Sequence, residues 1–318
     1  MRASMQNAER PDAGKRERGS CVAYSRELEL TPVAPFDFTK SLAFLSGFEP
    51  TKEEHTIIDG RLTKAIAIDG QVLAFGIRGS GTVGVPRVTC TLSSDRPLSE
   101  QAARAASDRI RFFLSLDDDL SEFYRRGRED PLFAPVVESL FGYHQVKFLT
   151  PFENACWAVL AQRVPMPIAA GMKDRLIDAF DNTIEVEGTS YRAFPDVSQM
   201  TRLTLEDLTA VVRNQRKAAY LHDVTRAFGE VDESFLRAGP YPEVIDWLQG
   251  IRGIGPWSAA FVAIRGLGRM EAIAADKAVM QAAEKVYGRT FTPGSFLQAA
   301  GAYGPWQGYW GHYLRVST

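Results

Sequence analysis

Between residues 56 and 92, apolar and polar positions alternate or gather in short apolar blocks, a period-two texture that predicts β-strands. The predicted strands are Thr56–Ile58, Leu62–Ile68, Val72–Ile77 and Arg87–Leu92, with Asp59-Gly60 and Asp69-Gly70 as hairpin turns. A Gly-rich piece, Gly79–Gly84, leads through Pro86 into the last strand. Pro97-Leu98-Ser99-Glu100 then opens an amphipathic helix with Ile110, Phe113 and Leu114 on its apolar face. Beyond Asp130-Pro131 the pattern becomes helical. It predicts helices over Phe152–Arg163, Ile168–Phe180, Leu205–Val212, Arg216–Ala227, Val244–Ile251, Trp257–Arg265 and Lys277–Val286. Glu185–Tyr191 reads as a brief hairpin or an ordered loop. The expected fold class is α+β: a small N-terminal antiparallel sheet domain over 27–130 and a mainly α-helical region over 131–318. Residues 1–26 are polar and read as a disordered tail.

Composition narrows the class. A chain of 318 residues, 45% hydrophobic and 24% charged, is an ordinary globular mixture with room for more than one core. No apolar run is long enough to span a bilayer, and the charged N-terminus lacks a secretory pattern. A cytoplasmic protein with no membrane partner is expected. The net charge of −2 argues against coating nucleic acid by bulk electrostatics, but it leaves room for a few placed contacts. Cys21, Cys90 and Cys156 match no ligand spacing, so they predict buried free thiols and no iron–sulfur cluster. His55, His144, His222 and His312 are scattered and read as structural or surface groups. Asp117-Asp118-Asp119 cannot share one helix face, since neighbours lie about 100° apart, so capping or a solvated surface is favoured over a metal site.

The chemistry-bearing stretch is Leu248–Ala259. An apolar helix ends, a Gly253-Ile254-Gly255 turn follows, and Pro256 opens a second helix. Such a turn permits left-handed backbone and directs several N–H groups at one spot, a nest for an anion such as a DNA phosphate. The same turn also serves in plain helical hairpins. Further on, Asp276 begins another helix. An N-cap is one role for it. The other is a carboxylate over the hairpin mouth, able to stabilise positive charge at a sugar anomeric carbon and to orient water.

Leu248–Ala259 with Asp276 resembles the signature of the helix-hairpin-helix/Gly-Pro-Asp DNA glycosylase superfamily, with the hairpin at about 244–265. Within it the chain is most similar to the alkylation-repair branch, 3-methyladenine DNA glycosylase II. Phe152–Val164 resembles that branch's helix and Gln-bearing wedge loop, Arg216-Lys217-Ala218 its Arg-Lys-Ala helix start, and Pro305-Trp306 with Tyr309 and His312 its C-terminal segment. The resemblance implies Asp276 as the catalytic carboxylate and Trp257, Phe261 and Trp306 as aromatics of the base pocket. Core packing is the alternative for these three. It implies Arg163 in the wedge place, with Val164 and Gln162 beside it, and hairpin amides at Gly253, Gly255 and Trp257 for phosphate. It also implies a monovalent Na+ or K+ on the carbonyls of Gln249, Ile251 and Ile254. No cofactor is required for the chemistry.

Where bifunctional relatives carry a Schiff-base lysine, this chain has Trp257, which cannot form one. The expected activity is monofunctional excision of alkylated purines from damaged double-stranded DNA by a monomer. A non-catalytic damaged-DNA-binding module and a glycosylase for other damaged bases are the alternatives.

Overall fold

A computed structural model describes residues 23–318. The tail expected over 1–26 lies largely outside these residues, as does Cys21. Its last part is not tail: strand β1, Tyr24–Leu30, starts inside it and pairs antiparallel with β5, Val85–Ser94. The other strands are β2 (His55–Ile58), β3 (Arg61–Ile68) and β4 (Gln71–Thr82), giving an antiparallel sheet of order β1-β5-β4-β3-β2. β4 runs through much of the Gly-rich piece, paired with β5 as far as Thr82, and Gly79 leaves room for Phe38, whose side chain a Cβ would approach to 2.7 Å. The helix after the sheet spans Glu100–Phe113, capped by the Ser99 side chain and burying Ile110 and Phe113.

A helix over Phe38–Gly47, not marked by the sequence pattern, lies between β1 and β2. The predicted helices of the second half are all present, as Pro151–Leu160, Met166–Asp178, Leu205–Val212, Gln215–Glu230, Tyr241–Gly250, Pro256–Gly266 and Lys277–Tyr287. The brief hairpin is β6 (Thr183–Val186) with β7 (Thr189–Arg192). The α+β class is borne out.

Two large apolar cores share the burial. One gathers helices from Phe152 to Leu267. The other joins the sheet face to the last helices, with Phe75, Phe113 and Phe123 in the same cluster as Val279, Phe296 and Trp310. The chain end thus folds back onto the N-terminal layer. Four buried charges bridge the two halves: Lys64 and Lys173 both pair with Glu54, and Lys173 also with Glu153 at 2.6 Å. Cys90 and Cys156 are buried free thiols, as expected. The three aspartates do separate jobs: Asp117 pairs with Arg111, Asp118 accepts from Tyr309, and Asp119 accepts from the Ser121 N–H. No helix among the described residues is long and apolar enough to cross a membrane.

Candidate active site and nucleic-acid interface

The hairpin folds as its sequence dictates. Tyr241–Gly250 ends, and Ile254 N–H closes the turn onto the Ile251 carbonyl at 3.0 Å. Gly253 sits at φ +98°, and a Cβ there would meet the Tyr220 ring at 2.5 Å, so both backbone and space require glycine. Gly255 does not share this constraint. It is extended, at φ −86°, with open space around it, and it precedes the Pro256–Gly266 helix without any side-chain cap. The first-turn N–H groups of that helix are left for an outside acceptor. A surface depression at this end is lined by Gln249, Ile251, Gly253, Ile254, Gly255 and Trp257 together with Gln162 and Arg163.

Lys217 fixes the neighbouring loop. Its buried ammonium donates to the carbonyls of Val159, Leu160 and Gln162 at 2.8–2.9 Å, capping the end of the Pro151–Leu160 helix. Gln162 turns inward and donates to the Gly253 carbonyl at 2.6 Å, tying loop to hairpin. Val164 is half-buried against the core. Only Arg163 of the three wedge candidates projects freely. It is exposed at φ +54°, with no side-chain partner among the described residues. A non-glycine residue in that strained region, held by a capped helix end, is a feature that functional loops favour.

Beside the hairpin is a cavity of about 230 Å³ lined by residues from four segments. Phe44 and Phe48 come from the first helix and its end. Trp257, Phe261 and Arg265 come from one face of the hairpin's second helix. Ile273 and Asp276 come from the connection, and His312 and Arg315 from the last helix. Gly308 and Gly311 let the connection lie against that last helix, since a Cβ at either would strike Met270 or Ile273. Trp257 is 49% exposed and lines both cavity and depression, so it stands at the lip between them.

Asp276 caps the Lys277–Tyr287 helix, accepting from the Val279 N–H at 3.0 Å through one oxygen, while Arg315 pairs with the other. The cap read for this residue is therefore present, and the same carboxylate stands on the cavity wall. Its side chain remains 21% exposed on the cavity wall. Lys277, its neighbour, is exposed and is not among the lining residues. His312 is buried, and burial first, then Arg265 and Arg315, hold its imidazole well below the usual range. It is therefore neutral, with Nε2 2.9 Å from the Tyr143 hydroxyl.

The structure brings Asp276, Trp257 and Phe261 into one cavity, as expected. It does not bring Trp306 there. That indole packs against Phe123 and Tyr309 at 6.3 and 5.9 Å between centroids, within the aromatic core. Phe44, Phe48, Arg265 and Arg315 line the cavity without having been singled out. The first two lie between β1 and β2, more than two hundred residues from the hairpin turn, so no local pattern connects them to it. Arg265 had a visible signal, a charge on the apolar face of the helix beginning at Pro256.

This architecture is the DNA glycosylase fold. It superposes on the 3-methyladenine DNA-glycosylase of Archaeoglobus fulgidus with a TM-score of 0.75 at 19% identity, covering 91% of this chain and 97% of that one. The Clostridium acetobutylicum 8-oxoguanine glycosylase/lyase, in complex with double-stranded DNA, gives 0.65 at 18% identity, covering 93% and 97%. In sequence the chain is similar to the DNA-3-methyladenine glycosylase of Bacillus subtilis (strain 168), 28% identical over 284 residues, which span 88% of this chain and 93% of that relative. The resemblance first drawn from the hairpin and Asp276 is borne out in these relatives. No protein-family model matches the chain.

Proposed function

We propose that this chain is a DNA repair glycosylase that turns an alkylated purine out of the duplex and hydrolyses its N-glycosidic bond, without a lyase step. The observation that carries this reading is Asp276 on the wall of a cavity shared with the Trp257–Phe261 stack, next to a hairpin with free N–H groups. The name of the B. subtilis relative supports the substrate class.

In this reading the amides around Gly253, Gly255 and Trp257 hold one phosphate and set the register of the duplex. Arg163 fills the space left by the flipped nucleotide, its planar guanidinium being able to stack and to donate hydrogen bonds. The base enters against Trp257 and Phe261, whose ring faces attract a cationic alkylated purine by about 0.5–2 kcal/mol. Asp276 faces the sugar, stabilises the positive charge that grows at C1′ as the base leaves, and orients the attacking water. Trp257 offers no amine for a Schiff base, which supports simple hydrolysis.

The carbonyl-bearing residues Gln249, Ile251 and Ile254 share the hairpin depression, and the Ile251 carbonyl keeps a lone pair beyond its bond to Ile254. They fit a Na+ or K+ ion, which would add positive charge toward the phosphate. One chain carries every group invoked, which supports action as a monomer.

The test is single-turnover base release from duplexes carrying 3-methyladenine or 7-methylguanine, with borohydride added in parallel. Free base and an intact abasic strand are expected. A protein that binds these duplexes without releasing base is a damage-binding module, and a trapped covalent adduct restores the lyase.

A further inference from the structure

The cavity holds a charge that the excision of a cationic base does not need. Arg265 is only 6% exposed, yet it lines the cavity with Asp276, Trp257 and Phe261. Its guanidinium lies over Phe44 and Phe48, 4.9 and 4.7 Å from the ring centroids. It forms no ion pair among the described residues. With the Gln145 amide turned to satisfy both of its ends, that oxygen accepts from Arg265 Nη1 at 3.3 Å. Nη2 is buried and has no acceptor. Burial lowers the guanidinium to about 10, so it is charged at neutral pH.

The charges around the cavity do not cancel. Its ionised lining groups are Asp276, Arg265 and Arg315. His312 is neutral, and Arg315 is already paired with Asp276. Arg265 is the surplus cation. A fixed positive charge repels a base that is itself cationic and does nothing to help it leave, because such a base departs neutral. A neutral base is different. When its C1′–N bond breaks, the electron pair stays on the base nitrogen and the base leaves as an anion, which needs a donor or a cation beside it.

We infer that Arg265 is a further catalytic group of this site, donating a hydrogen bond to an acceptor edge of an uncharged damaged purine and stabilising it as a departing anion. The inference rests on the glycosylase reading. It concerns neutral bases bearing a carbonyl or ring-nitrogen acceptor, and its content is the residue that serves them. In the step, the C1′–N bond breaks with its pair on the base, and water oxygen bonds to C1′. The water proton passes by way of Asp276 to solvent, and the base anion takes a proton from solvent water.

The experiment is single-turnover release of hypoxanthine and 1,N6-ethenoadenine, both neutral, and of 7-methylguanine, which is cationic in the duplex. Wild type is compared with Arg265→Gln and Arg265→Lys. Wild type is expected to release both classes. Arg265→Gln should lose about 100-fold on the neutral bases, in the range for removing one transition-state donor, and at least about tenfold more there than on 7-methylguanine. Arg265→Lys should recover part of the loss. Equal losses on both classes overturn the inference in favour of a packing role, as does neutral-base release untouched by Arg265→Gln. Should the Gln variant not fold, the wild-type panel and Arg265→Lys still decide, because release of 7-methylguanine alone also overturns it. A wild type that releases no base at all overturns the glycosylase reading itself.

Discussion

The Trp257 indole lies parallel to the Phe261 ring one helical turn later, with centroids 5.4 Å apart and planes 5° from one another. The pair forms a flat wall from the hairpin mouth into the cavity, and Phe148 braces Phe261 edge-on from behind. Because Trp257 is half-exposed, truncating it costs the fold little. Trp257→Ala is predicted to keep a thermal midpoint near wild type while slowing base release by about 10- to 100-fold, the range for losing one base-stacking aromatic. Single-turnover kinetics beside a melting curve separates this from a packing role, which would move the midpoint instead.

Asp276→Asn separates cap from catalyst. Asparagine caps a helix as well as aspartate does, so the Lys277–Tyr287 helix and the overall stability should hold. On the proposed mechanism, release of alkylated purine should fall by at least about 100-fold, because the negative charge on the cavity wall is gone. Wild-type rates in this variant would remove Asp276 from the mechanism.

The two hairpin glycines are predicted to respond differently. Gly253→Ala places a methyl against Tyr220 at a backbone angle that disfavours side chains, and should cost about 1–3 kcal/mol in urea unfolding. Gly255→Ala meets no neighbour and should leave stability within about 1 kcal/mol of wild type. Any loss at Gly255 should instead appear as weaker duplex binding in fluorescence anisotropy, where the new methyl crowds the phosphate. Equal unfolding losses for both would contradict the distinction.

Acid should loosen the bridge between the two halves. Burial by itself raises the Glu54 carboxyl, but Lys173 and then Lys64 outweigh it and bring the group from 4.5 down to about 2. The unfolded chain therefore takes up this proton before the folded one. The contribution is whole above about pH 4.5 and drains away as pH falls toward 2. Glu54→Gln, which leaves Lys64 buried without its partner, should destabilise by about 3 kcal/mol at pH 7 and flatten the acid limb of the stability profile. Thermal midpoints measured from pH 7 down to 3 would test both effects.

Much was legible because it is local. The Asp-Gly turns at Asp59 and Asp69 hold positive φ in the structure, and the strands pair on either side of them. Helical spacing located the second-half helices to within a few residues. The Gly253 turn, Pro256 and the capping Asp276 declare themselves by backbone rules that act over four or five residues. What stayed hidden is long-range. Tyr24–Leu30 alternates only briefly, over Glu27-Leu28-Glu29-Leu30, and the edge that β5 offers extends it into a full strand. Phe44 and Phe48 reach the cavity only once the last helices fold back onto the N-terminal layer. Trp306 shares its segment with residues that line the cavity, yet it turns into the aromatic core around Phe123. The sequence by itself therefore determined the elements, the Gly253 turn and the capping carboxylate. The tertiary structure alone decided which aromatics line the cavity, that Arg315 pairs with Asp276, and that Arg265 stands in the cavity without an ion pair among the described residues. Those are matters of packing between segments from tens to more than two hundred residues apart, where complementary shape and buried charge, rather than local propensity, set the outcome.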